Sequence, residues 1–92
     1  MKNNNPSSLP SEWIVNIYPI PANNELFIST NNRIEEIKVV ITDVNSRIVG
    51  IYELTTNNSV GNIKLDMNSG IYFVTLSNNN GEKVTKKLVI AK

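Results

Sequence analysis

The sequence predicts an all-β fold, an antiparallel β-sandwich of about seven strands. Three observations predict it. Apolar residues come in short bursts separated by turn residues about every 8–12 positions, the spacing of a sandwich or barrel. Within most bursts apolar and polar residues alternate, the period of a strand with one buried face. No segment sustains a helical period over a helical length. The closest, Arg33 to Val40, is rich in β-branched residues that favour strands. Seven short strands cannot all bury a face in one open sheet, so two packed sheets with Greek-key connections are expected.

Residues 1–11 are polar, contain Pro6 and Pro10, and offer little to bury; they read as a linker or a segment left by cloning, with residues 12–92 as the domain. Trp13 to Tyr18 is the first expected strand, stopped by Pro19 and Pro21, which fix φ and remove backbone donors. Glu25 to Ser29 is the second, with Leu26 and Ile28 on one face. Glu36 to Val44 is the third, where Ile37, Val39 and Ile41 alternate with Lys38, Val40 and Thr42. Asn45-Ser46 is expected as a two-residue turn, and Arg47 to Leu54 returns as the fourth strand. Asn62 to Met67 is the fifth, with Ile63, Leu65 and Met67 on one face. Gly70 to Ser77 is the sixth, Asn80-Gly81 the hairpin turn, and Glu82 to Ala91 the seventh. The expected core is Ile17, Leu26, Ile28, Val39, Ile41, Ile63, Leu65, Tyr72, Val74, Leu76, Leu88 and Ile90.

Composition excludes much chemistry. The chain has 92 residues, enough for one domain, and its hydrophobic fraction of 40% suits a thin globular core. A net charge of +1 argues against a nucleic-acid binder or a polybasic membrane binder. There is no Cys for a disulfide or thiolate metal site, and no His for a conventional catalytic triad. No apolar run reaches the roughly 20 residues of a membrane helix. The carboxylates sit in turns, at strand edges or on polar faces, without the spacing of a catalytic pair. A Ser–Lys pair, Ser77 with Lys83 or Lys86, is the remaining catalytic arrangement, and it is weak. Asp43-Val44-Asn45-Ser46 could offer oxygen ligands to calcium, but a turn capped by Asp and Asn accounts for the same residues. No enzyme activity and no cofactor are expected. Lys83, Lys86 and Lys87 on the last strand read either as charges guarding a sheet edge or as a cationic recognition surface.

Four segments in order resemble a known family. Tyr18-Pro19-Ile20-Pro21-Ala22 is similar to the Tyr-Pro-Asn-Pro opening of the C-terminal sorting domains of the Bacteroidetes type IX (Por) secretion system. Val40 to Val49, with Asp43 and Arg47 at the turn, resembles their central strand–turn–strand segment. Ser69-Gly70-Ile71-Tyr72-Phe73-Val74 resembles their Ser-Gly-hydrophobic-Tyr block, and Lys86-Lys87-Leu88-Val89-Ile90 their closing strand. Ile20 and Ser46 depart from the family, which usually has Asn and Gly there. The resemblance implies an Ig-like domain behind a fused N-terminal cargo, directing it through the outer-membrane translocon. A sortase-like peptidase then usually removes the domain, and the cargo is released or held at the cell surface. On that reading Gly70, Tyr72, Lys83, Lys86 and Lys87 are the expected recognition residues, and Pro19, Pro21, Asp43 and Arg47 the turn-forming ones. The alternative is a small adhesive or carbohydrate-binding module of a secreted protein, which would display a row of exposed aromatic residues.

Overall fold

A computed structural model describes residues 12–92; the linker expected over residues 1–11 lies outside them. Among the described residues there is no helix. Seven strands follow in order: β1 (Val15–Tyr18), β2 (Glu25–Thr30), β3 (Glu36–Thr42), β4 (Ile48–Thr55), β5 (Val60–Lys64), β6 (Gly70–Asn78) and β7 (Lys83–Ile90). They form a three-stranded sheet, β1-β2-β5, and a four-stranded sheet, β4-β3-β6-β7, with every ladder antiparallel. The chain crosses between sheets at β2–β3, β4–β5 and β5–β6, while β3–β4 and β6–β7 are hairpins.

Because strands alternate in direction, the sandwich has two distinct ends. Trp13, the β2–β3 loop, the β4–β5 turn and the β6–β7 turn gather at one, the Trp13 end. The Pro19–Ala22 crossing, the β3–β4 turn, the β5–β6 loop and the C-terminal residues gather at the other, the Pro19 end.

The interior is built from the alternating residues of both sheets. Leu26, Ile28, Val39, Ile41, Val74, Leu76 and Leu88 are fully buried. Val15, Ala22, Ile37 and Met67 join them, as do Thr30 and Thr56. Tyr72 was expected in the core but is only half-buried: its ring faces inward, and its hydroxyl donates to the Asn68 carbonyl at 2.8 Å near the surface. A phenol that reaches a polar partner at a rim need not be fully enclosed.

Two local expectations are corrected. The fifth strand runs from Val60 to Lys64, not from Asn62 to Met67, because a tight turn ends immediately before Val60. In that turn Asn58 and Ser59 take φ of 53° and 71°, and Asn57 exchanges backbone hydrogen bonds with Val60. Leu65 and Met67 remain buried beyond the ladder, Leu65 N–H donating to the Asn24 carbonyl at 2.9 Å. The β3–β4 turn is centred on Val44-Asn45, not Asn45-Ser46. Ser46 follows it in the left-handed region, φ 66°, and the register shifts by one residue between Ile41 and Thr42.

Candidate recognition surface

The turn residues expected from sequence form defined devices. Asp43 Oδ1 accepts the N–H groups of Asn45 (2.8 Å) and Arg47 (3.0 Å), while Oδ2 accepts Arg47 Nε at 3.1 Å. The Arg47 backbone N–H is the main cause that holds the Asp43 carboxyl below its ordinary 3.8. Partial desolvation works the other way, and the Asn45 N–H and the Arg47 side chain add to the lowering. The β6–β7 turn repeats the arrangement without charge. Asn78 Oδ1 accepts the N–H groups of Asn80 (3.0 Å) and Glu82 (3.1 Å), and Gly81 takes the left-handed position, φ 82°. Both oxygens of Asp43 are thus committed to the hairpin.

Pro19 and Pro21 lie in the crossing that carries the chain from β1 to the edge of β7. Both X-Pro bonds, Tyr18-Pro19 and Ile20-Pro21, are cis. Ala22, buried at the end of the crossing, bridges Ile90 in parallel. Its N–H donates to the Val89 carbonyl and its carbonyl accepts the Ala91 N–H, each at 2.8 Å. Lys92 N–H donates to Ser69 Oγ at 2.9 Å. The last strand was expected to lie at a sheet edge. It is an edge, paired along its length only with β6, but its final residues are tied down by Ala22 and Ser69.

Gly70 opens β6 opposite Ile90 with φ 159°, and Tyr72 sits opposite Leu88. Any Cβ at Gly70 would lie 3.6 Å from the Tyr72 ring, in ordinary contact with it. On β7, Lys87 is exposed on the outer face of the four-stranded sheet, opposite Phe73. Lys86 is half-buried on the inner side between Val84 and Leu88, and Lys83 is exposed at the Trp13 end. The structure therefore brings Pro19, Pro21, Asp43, Arg47, Gly70 and Tyr72 to one end. It does not bring Lys83 there: seven residues of strand separate it from Ile90, about 23 Å.

Sequence reasoning missed Glu35, which it read as surface charge. Its Oε1 accepts Trp13 Nε1–H at 3.0 Å, and its Oε2 accepts the side-chain amides of Asn32 (3.0 Å) and Asn78 (2.8 Å). Asn31 adds to the clamp, its amide donating to the Glu12 carbonyl and its Oδ1 accepting the Ile14 N–H. Ser77 and Lys83 are cross-strand neighbours on the outer sheet face, where Ser77 lines an open concavity with Lys38, Glu53 and Asn79. The exposed aromatics do not form a row. Tyr18 stacks on Phe27 at 5.6 Å on the three-stranded sheet, whereas Phe73 lies on the outer face of the other sheet.

Comparison with known proteins bears on the fold and the family. No curated protein matches the chain. A crystal structure of dimeric latent PorU from Porphyromonas gingivalis is similar in fold, with a TM-score of 0.61 at 16% identity, over 90% of this chain and 10% of that one. The chain thus corresponds to a small part of that protein's length. The family model for a secretion system C-terminal sorting domain matches residues 16–91, spanning all seven strands but the first residue of β1. This chain belongs to the family of type IX secretion system C-terminal sorting domains.

Proposed function

We propose that the domain is an address and not a catalyst: a folded tag on the C-terminal side of a cargo, read by the type IX translocon and then cut away by a sortase-like peptidase. The observation that carries this reading is the family match over residues 16–91. A sorting tail implies passage across the outer membrane, and on this reading the cargo ends at the cell surface or outside the cell. The edge of β7 supplies the backbone groups that recognition by strand addition requires, and Lys83 and Lys87 add exposed charge for a partner to read. Gly70 and Tyr72 shape the start of β6 against the end of β7. The cut falls upstream of Trp13, because Glu35 and Asn31 hold Glu12 to Ile14 against the sandwich and a peptidase needs extended chain.

The test is a reporter fused ahead of the domain in a host carrying the translocon. Replacing the exposed Lys83 and Lys87 by Gln changes stability by about 0.5 kcal/mol or less, as surface substitutions do. The double variant is expected to stay folded and to be exported poorly. Export at the level of the unmodified fusion would remove these lysines from the signal.

A further inference from the structure

The β3–β4 and β6–β7 hairpins are built alike, and each carries an asparagine immediately before its left-handed residue. Asn45 precedes Ser46, φ 66°, and Asn80 precedes Gly81, φ 82°. One difference between them has chemical weight. The backbone nitrogen of the residue after an asparagine can attack the asparagine side chain, and a side chain on that residue hinders the approach. Of the sixteen asparagines in the chain, Asn80 is the one followed by glycine. Asn45, Asn58 and Asn68 are followed by serine, and the others by larger residues.

The surroundings of Asn80 leave that attack open. Asn79, Asn80 and Gly81 are all exposed. A Cβ added at Gly81 would meet nothing within 4 Å, so a ring can close there without displacing a neighbour. The two preceding amides are held in place: Asn78 donates to Glu35 and Glu82, and Asn79 donates to Glu36 at 2.9 Å. Among the described residues, the Asn80 side chain makes no such bond. The Gly81 N–H donates to the Asn78 carbonyl at 3.2 Å, the long end of the hydrogen-bond range. The serines that follow Asn45 and Asn58 are held more closely. Ser46 N–H donates to the Asp43 carbonyl at 3.0 Å, and Ser59 N–H to the Arg33 carbonyl at 2.8 Å.

We propose that Asn80 is the site of spontaneous deamidation in this domain, and that its isoaspartyl product opens the β6–β7 turn. The Gly81 nitrogen forms a bond to Asn80 Cγ, and the Cγ–Nδ2 bond breaks. The proton lost by Gly81 goes to the departing nitrogen, so ammonia leaves and a succinimide remains. Water then opens one or other carbonyl of the ring, which leaves an aspartyl or an isoaspartyl residue at position 80. The isoaspartyl form carries Cβ in the main chain, so the backbone between Asn78 and Glu82 gains one atom. Hydrogen bonds that span this point include Gly81 N–H to the Asn78 carbonyl, Asn78 N–H to the Glu82 carbonyl and Glu82 N–H to Asn78 Oδ1. Asn78 also donates to Glu35, the acceptor of the Trp13 indole. A change at one exposed turn thereby loosens the clamp on the incoming chain.

The experiment incubates the purified chain in mildly alkaline buffer and follows each asparagine by peptide mapping and mass spectrometry. Enzymatic methylation of isoaspartate distinguishes the two products. Asn80 is expected to react first, at least about tenfold faster than Asn45, a barrier difference of about 1.4 kcal/mol. The rate is expected to rise with pH, because the attacking nitrogen must lose its proton. Asn80→Gln is expected to remove the fast phase, since its longer side chain cannot close the same ring. Ser46→Gly gives the other hairpin the same neighbour and is expected to bring Asn45 to a comparable rate. Trp13 is the single tryptophan and reports the clamp. Its emission is expected to shift to the red in the isoaspartyl form and to stay unchanged in Asn80→Asp, which keeps an ordinary backbone. If Asn80→Gln fails to fold, the peptide map of the unmodified chain decides. A different asparagine reacting first overturns the proposal, and so does an Asn45 that stays slow in Ser46→Gly. Unchanged Trp13 emission in the isoaspartyl form overturns the link between the turn and the clamp.

Discussion

Ser46 and Gly81 hold equivalent places in two hairpins, each following a turn whose first side chain caps two backbone N–H groups. Both are left-handed, but only one is glycine. A side chain in that region costs about 1–2 kcal/mol, against roughly 0.4–1 kcal/mol for the extra freedom glycine adds to the unfolded chain. Ser46→Gly is therefore expected to raise the urea midpoint, by about 0.5–1 kcal/mol of stability; a lowered midpoint would contradict the turn geometry. Asp43 and Asn78 allow a second comparison. The Asp43 pKa is lowered on folding, so its contribution is present above the unfolded value and is lost as pH falls through the folded one. Asp43→Asn should keep the caps, as Asn78 does, and abolish that acidic step, whereas Asp43→Ala should lose both. Stability followed across pH 2–6 for the three proteins separates these outcomes.

At the scale of elements, every strand type and nearly every boundary was legible, because alternation and turn residues are local signals. Ile37, Val39 and Ile41 announce the inner face of β3, and Val74 and Leu76 that of β6. Leu76→Ala is expected to cost about 2–5 kcal/mol, read from chemical denaturation. What was not legible rests on residues distant in sequence. Glu35 looks like any polar residue before a strand; its partners Trp13 and Asn78 lie 22 and 43 positions away. Ala22 carries no periodicity that would mark it as core, and it is buried only because the crossing lays it against Ile90. Of the candidate site, the turn residues were legible as turns, while the gathering of Pro19, Pro21, Asp43, Arg47, Gly70 and Tyr72 at one end appears only with the strand order. Glu35→Ala strips the acceptor from three donors and is expected to cost about 1–3 kcal/mol in thermal or urea unfolding. Glu35→Gln should cost a similar amount, because its new amide faces the amides of Asn32 and Asn78. A silent Glu35→Gln would mean the clamp is only a surface contact.

The whole molecule has a polarity that neither sheet has alone. The preceding chain arrives at the Trp13 end, held by Glu35 and Asn31, while the Pro-containing crossing, the Asp43 turn and the close of β7 lie at the far end. Mass spectrometry of released cargo is expected to place its C-terminus before Trp13; a terminus inside residues 14–92 would refute the clamp as the limit of processing. The bridge between Ala22 and Ile90 has one more consequence. It joins an early crossing to β7, so the sandwich closes only once β7 has been made. A chain interrupted at Glu82 would leave Ala22, Val74 and Leu76 facing water. It is expected to lack the near-ultraviolet dichroism of a packed fold. The architecture thus ties the signal to a finished sandwich: a product cut short before β7 cannot display a legible destination.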